Sequence, residues 1–394
     1  MTSGLNIAIV CPACGGTGSV ANVAVHHAKE LSKSFQVTLV SDSFPDTALP
    51  GVESLKVTPR RFDYLRRFCH VPNEYAFARA VRDKLEMMHK GTPIDMIICH
   101  GHVAATLSAK PLKGQYGIPY ALVTHGDIFD RPKGTYDWRL TMFYKAVTPY
   151  AYRTADLIIP LSPYMAEYAL KRGGVAENIR VIPNGIDPSD IGLNLEIVKQ
   201  ANDTLREQGV LKLLYVGTLH THKGIAILLS ACDILNKRRI PFSLHIIGSG
   251  PLEAALKDFV KKSELSNKII FLGKVDRKDL GPHYRYANLL IVPSLSDALP
   301  TVVLEALLSG VPVVGSHIGG IPFMIQHGMN GLLCKPDDPI ALSTAIERLY
   351  RNPSELSSLS ANAFPSVYPK FSWETAGEAL ICSINEVLSR RMTR

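Results

Sequence analysis

Short apolar runs bounded by turn residues alternate with helical patterns along most of this chain, and the alternation runs through twice. The first series has strand-like runs at 6–11, 36–41, 94–99, 120–124 and 157–160. The rhythm restarts at 212–217 and continues through 243–248, 269–273, 289–293 and 312–316. Such alternation marks a parallel sheet with crossover helices, so the expected fold is α/β with two Rossmann-like, doubly wound domains. A length of 394 residues agrees, because one such core is usually smaller and two domains of roughly 150–200 residues are the natural division. Breakers concentrate between the series in Ile182-Pro183-Asn184-Gly185-Ile186-Asp187-Pro188, and the hinge is placed there. The expected domains are 1–184 and 185–370, followed by a closing segment 371–394, with 188–210 decorating the start of the second.

Open parallel sheets bind ligands beyond the carboxyl ends of their strands, where glycine-rich turns feed helix N-termini. Glycine turns stand at those places here: Gly15 to Gly18, Gly217, Gly248 to Gly250, and Gly319 with Gly320. Two such edges facing each other across a cleft would hold a large diphosphate ligand on one wall and its reaction partner on the other. Hydrophobic content of 46% with 20% charged residues is that of a soluble globular protein. No apolar run approaches the roughly 18 residues of a membrane span, and residues 1–16 lack a basic n-region. A cytoplasmic protein is expected, at most peripheral to the inner face of a membrane. Seven scattered cysteines point to reduced thiols, and the lone CxxC of Cys11 and Cys14 has no second pair to complete a zinc site. The net charge of +8 favours anionic partners without choosing among them.

The C-terminal half carries a longer succession: Tyr215-Val216-Gly217-Thr218-Leu219 to Lys223-Gly224, Ile247-Gly248-Ser249-Gly250-Pro251-Leu252, and Val292-Pro293-Ser294. It continues as Asp297-Ala298-Leu299-Pro300-Thr301-Val302-Val303-Leu304-Glu305-Ala306, Gly310-Val311-Pro312-Val313-Val314, Gly319-Gly320-Ile321-Pro322 and Asn330-Gly331-Leu332-Leu333. With Gly15 and Gly16 after the first strand, Thr124-His125-Gly126, and Pro183-Asn184-Gly185-Ile186-Asp187, this order resembles glycosyltransferase family 4 over nearly the whole chain. The resemblance implies the GT-B fold and retaining transfer of a hexosyl-type sugar from a UDP- or GDP-sugar. It implies no metal and no cofactor, the nucleotide sugar being a substrate. On the same ground 1–184 is the acceptor domain, 185–370 the donor domain, and 371–394 a helix crossing back to the first.

Roles follow from the resemblance and from what the chemistry requires. A departing diphosphate gathers negative charge, so a metal-free enzyme must supply cations and oriented N–H groups. Lys223, just before a helix start, is the first candidate. Asp297 and Glu305 stand eight positions apart, matching the family's acidic pair with aspartate in first place. Glu305 is expected at the ribose hydroxyls, Asp297 at the donor sugar or its phosphate. Gly217, Thr218, Gly248, Leu299, Pro300 and Thr301 complete the donor-binding set. Gly15 and Gly16 are expected to bring bare backbone to the phosphates. His125 is expected at the donor sugar as a hydrogen-bonding group, the leaving phosphate itself taking the acceptor proton. Ordinary alternatives stand beside each: a solvated lysine, a helix glutamate, a capping aspartate, a tight turn and a core histidine.

Two departures from the family pattern bear on the site. Thr218 stands where arginine is common, and Phe323 replaces the usual glutamate after the Gly-Gly-Ile-Pro turn, which reads as altered packing of the donor pocket wall. Arg60, Arg61, Arg66 and Arg67 interleave with Phe62, Tyr64, Leu65 and Phe68 and are candidates for a glycan or lipid acceptor or for peripheral contact with an anionic membrane. Nucleic acid is not an expected partner. The main rival is Gly16-Thr17-Gly18-Ser19-Val20-Ala21 with Asp42, a dinucleotide fingerprint that would make the chain an NAD-dependent oxidoreductase. A catalytically silent binding subunit of the same fold and a nucleotide-sugar epimerase are the others.

Overall fold

The computed structural model describes residues 4–15, 19–45, 47–59, 71–126, 138–194, 196 and 209–392. The chain divides into two compact units, residues 1–184 with 373–394 and residues 185–372. Each is built on one six-stranded parallel sheet. In the first unit β1 (Asn6–Val10), β2 (Gln36–Ser41), β3 (Val52–Lys56), β4 (Met96–His100), β5 (Tyr120–Thr124) and β6 (Leu157–Pro160) lie in the order β3-β2-β1-β4-β5-β6. In the second β7 (Leu211–Val216), β8 (Phe242–Ile247), β9 (Ile269–Gly273), β10 (Leu289–Val292), β11 (Val313–Ser316) and β12 (Gly331–Cys334) lie in the order β12-β11-β10-β7-β8-β9. The two orders are the same winding, and it positions the site. The chain steps outward from the first strand, then returns to that strand's other side. The reversal opens a crevice beyond the carboxyl ends of β1 and β4, and another beyond β7 and β10.

The inner strands are largely apolar because helices cover both faces of a parallel sheet. Ile7 to Val10 are fully buried, and every residue of β4, β5 and β10 is buried. The helix Ile225–Lys237 after β7 turns Ile225, Leu228, Leu229, Cys232 and Leu235 inward, the spacing of one helical face. They pack with Leu213, Leu244, Ile291 and Val314 into the core of the second unit, while Ala8, Val40, Ile97, Leu122 and Ile158 centre that of the first. The sequence reading omits β3 and β12, one outer strand of each sheet. Val52-Glu53-Ser54-Leu55-Lys56 is half-buried to exposed, so it lacks the apolar run that marks its neighbours.

The helix Trp373–Met392 belongs to the first unit and packs on the helix Ser19–Leu31. His26 stacks on Trp373 with ring centroids 4.1 Å apart, and Arg180 pairs with Glu386 at 2.8 Å. Among the described residues no helix is long and apolar enough to cross a membrane.

Candidate active site

In the second unit, the loops after β7 and β10 flank the crevice that the strand reversal opens. They interlock through backbone. Leu295 N–H donates to the His222 carbonyl at 2.8 Å. Gly224 has φ +67, and a Cβ on it would lie 1.8 Å from the Pro293 carbonyl oxygen. Only glycine fits there, and its presence sets the turn that ends at Lys223 and starts the helix Ile225–Lys237. Lys223 is thereby carried across to the β10 loop, where its Nζ meets Asp297 Oδ2 at 2.6 Å. Ser294 Oγ donates to the same carboxylate oxygen at 3.3 Å. Both Lys223 and Asp297 are half-buried. An ammonium has three N–H donors, so the contact with Asp297 leaves it able to bind an anion as well.

The glycine turns around this pair have packing duties. A Cβ on Gly248 would lie 1.9 Å from the Gly217 carbonyl oxygen, and one on Gly250 would lie 2.5 Å from that of Leu219. These turns let the β8 loop close on the β7 loop, which is tied by Leu219 N–H to the Ser249 carbonyl at 3.0 Å. Gly320 N–H likewise donates to the Asp297 carbonyl at 3.0 Å, fixing that residue's backbone. Thr218 is exposed, Leu299 and Pro300 are buried, and Thr301 opens the helix Thr301–Leu308. Phe323 packs edge-on against Phe371 at 5.6 Å, which is where the residue replacing the family glutamate goes.

Glu305, the residue expected at the ribose hydroxyls, is a buried carboxylate already held by side-chain partners. It sits inside the helix Thr301–Leu308, 2% exposed, with both carboxylate oxygens engaged. Tyr284 Oη donates to Oε2 at 2.7 Å, and the Arg277 guanidinium donates to Oε1 through Nε at 3.2 Å. Arg277 Nη2 lies 3.1 Å from the same oxygen and 3.6 Å from Asp190 Oδ2. A buried carboxylate requires such partners. Burial, then the Glu305 charge, pushes the Tyr284 hydroxyl pKa well above its usual value and keeps it a donor. Arg277 and Tyr284 were not among the sequence candidates, because they lie in segments without a motif, 28 and 21 positions from Glu305.

In the first unit, Gly15 follows β1, and its bare α-carbon has a packing use. A Cβ there would lie 2.4 Å from the Phe44 carbonyl oxygen, so the glycine admits the backbone of the loop after β2. Asp42, the acid of the dinucleotide fingerprint, accepts the Ala13 N–H at 2.9 Å and so ties that loop to the β1 loop. Cys11 and Cys14 are buried, with the Cys14 N–H held by Ser41 Oγ at 3.0 Å. Gly16, Arg60, Arg61, Arg66 and Arg67 lie outside the described residues.

His125 follows β5, half-buried. Its Nε2 is 2.9 Å from Nδ1 of His100, the last residue of β4. The His27 ring tilts against His100 at 5.3 Å. Burial, followed by the neighbouring histidines, lowers the pKa of His125 to about 3 and that of His27 to about 4. His100 is also held well below the usual range, chiefly by burial. All three rings are therefore neutral at physiological pH.

The pattern described as Glycosyltransferase Family 4 matches residues 18–190, and that described as Glycosyl transferases group 1 matches residues 198–364. The chain belongs to glycosyltransferase family 4. An uncharacterized glycosyltransferase of Methanocaldococcus jannaschii is 28% identical over 291 residues, 73% of this chain and 74% of that protein. Among solved structures, sucrose-phosphate synthase from Thermosynechococcus elongatus superposes with a TM-score of 0.77 at 21% identity, over 98% of this chain and 100% of that one. Anabaena HepE in complex with UDP-glucose does so with a TM-score of 0.72 at 20% identity, over 98% and 100%. At those identities the structural likeness speaks for the fold, and it makes this glycosyltransferase one of GT-B type.

Proposed function

We propose that this glycosyltransferase moves a hexosyl-type sugar from a UDP- or GDP-sugar onto a glycan, lipid or small-molecule acceptor, with retention of anomeric configuration and without a metal ion. The observation that carries the reading is the contact of Lys223 with Asp297 at 2.6 Å beside the strand reversal of the second sheet. Crevices of that kind take nucleotides, and a half-buried ammonium there suits a diphosphate. The UDP-glucose in the complex of Anabaena HepE supports a nucleotide sugar as the donor.

As the bond from the anomeric carbon to the phosphate oxygen breaks, its electron pair passes to the diphosphate. Lys223 and nearby backbone N–H groups stabilise that charge where it develops. The leaving phosphate oxygen takes the acceptor hydroxyl proton. The acceptor oxygen then bonds to the anomeric carbon on the face just vacated, which gives retention. Asp297 steadies the ammonium and faces the sugar, while His125 hydrogen-bonds the sugar hydroxyls. Glu305 holds the ribose, with Arg277 moving aside or sharing the carboxylate. The Arg60, Arg61, Arg66 and Arg67 segment meets the acceptor or an anionic surface.

Turnover of UDP- and GDP-sugars by wild-type chain and Lys223→Ala tests this. The variant is expected to lose about 10²-fold or more in kcat, the cost of removing one transition-state charge donor, and the product should keep the donor's anomeric configuration by NMR. Equal rates for the two proteins remove Lys223 from the mechanism, and an inverted product removes retention.

A further inference from the structure

We infer that His100 is a positioning residue that fixes His125 with its proton on Nδ1, so that His125 meets the substrate only as a hydrogen-bond donor. The role toward substrate rests on the function proposed above, whereas the tautomer rests on the geometry alone.

The contact between His100 Nδ1 and His125 Nε2, at 2.9 Å, needs one hydrogen between two neutral rings. In one arrangement His100 carries it on Nδ1 and His125 accepts at Nε2, leaving the His125 proton on Nδ1. In the other, His125 donates from Nε2 and the His100 proton moves to its own Nε2. That atom is buried and has no hydrogen-bond partner among the described residues. The second arrangement therefore strands an N–H away from any acceptor, whereas the first strands only a lone pair. Orphaned buried donors are the rarer and costlier defect, so the first arrangement prevails.

The surroundings hold it in place. His100 is 2% exposed and ends β4, whose backbone pairs with β5 immediately before His125. The His27 ring packs against the His100 ring at 5.3 Å, and the His125 ring lies edge to edge and in line with it, centroids 5.1 Å apart. Since Nε2 is committed to His100 and Nδ1 is protonated, His125 has no lone pair to offer a substrate proton. It can donate to a sugar hydroxyl oxygen. It cannot serve as the general base, which agrees with a leaving phosphate taking that proton.

The test is a long-range 1H–15N spectrum of the full chain labelled with ring-15N histidine, with the His125 signals assigned from a His125→Asn sample. A neutral His125 protonated on Nδ1 is expected between about pH 6 and 8. In His100→Phe, which keeps ring volume and loses the donor, protonation should shift toward Nε2. In His100→Asn, whose amide nitrogen stands near the lost Nδ1, the wild-type pattern should return. An Nε2-protonated His125 in the wild type, or an unshifted tautomer in His100→Phe, overturns the assignment, and the wild-type spectrum alone decides should His100→Phe not fold. With a turned-over nucleotide sugar, kcat should fall about three- to tenfold in His100→Phe, the worth of one neutral hydrogen bond, and recover in His100→Asn. A shifted tautomer with unchanged kcat overturns the role toward substrate. Failure of the wild type to turn over any donor would instead strike the proposed function, and it is told apart because the spectrum needs no donor.

Discussion

Glu305 is held by two side chains that the sequence offers no means of pairing with it. Arg277 and Tyr284 reach it from the short turn Arg277–Asp279 and the helix Gly281–Tyr286, which fold against the start of the unit. There Gly192 and Gly281 allow backbone contact with Lys278 and Ile191. The spacing of Asp297 and Glu305 was legible as a family pattern, whereas their surroundings depend on distant segments meeting. His100 is hidden in the same way, as the polar end of an apolar run. Removing one partner from a buried carboxylate costs far more than a surface pair would, so Arg277→Met should destabilise the protein by about 3 kcal/mol. Tyr284→Phe should cost about 2 kcal/mol, the range for a hydrogen bond to a charged group. Urea unfolding reads both, and a change below about 0.5 kcal/mol in either would mean that Glu305 does not depend on that partner.

At the scale of elements, the parallel, doubly wound character of the chain could be read because inner strands must be apolar on both faces. Of the four outer strands, β6 and β9 could be read and β3 and β12 could not. β3 carries Glu53, Ser54 and Lys56, and β12 is a four-residue strand entered from a turn at Gly328 to Asn330. The glycine motifs were legible as positions, whereas the loop-on-loop packing they permit was not. At Gly15, Gly224, Gly248 and Gly319 the missing Cβ admits another loop's backbone, at 2.4, 1.8, 1.9 and 2.0 Å from a carbonyl oxygen. Gly224→Ala adds a left-handed backbone penalty of about 1–2 kcal/mol to a direct clash. It should lower stability by about 3 kcal/mol or more and displace Lys223 from Asp297. Unchanged unfolding of Gly224→Ala would show that the β7 and β10 loops are not interlocked as described.

Over the whole molecule, the two units have separate cores, and the first carries a cluster of histidines. The first contains the buried His27 and His100 and the half-buried His125, all neutral with folded pKa values below the ordinary 6.5. Because the unfolded chain binds protons that the folded one refuses, the stability these groups contribute is intact above about pH 6.5. It is lost as pH falls toward the folded values. For His27, with a folded pKa of about 4, the loss at pH 5 is about 2 kcal/mol. Both tryptophans, Trp138 and Trp373, belong to the first unit, so tryptophan fluorescence follows it selectively. Its melting temperature should drop between pH 7 and pH 5, and the drop should shrink in His27→Phe. A melting temperature independent of pH over that range would contradict neutral burial of these rings.

A grip on a nucleoside diphosphate by Lys223 and Glu305, as proposed, is read by calorimetric titration of free UDP and GDP into the whole chain. One of the two nucleotides should bind the wild type, with affinity about tenfold or more lower in both Lys223→Ala and Glu305→Gln, each loss being that of a charge-assisted contact. Undiminished affinity in both variants would remove Lys223 and Glu305 from nucleotide binding.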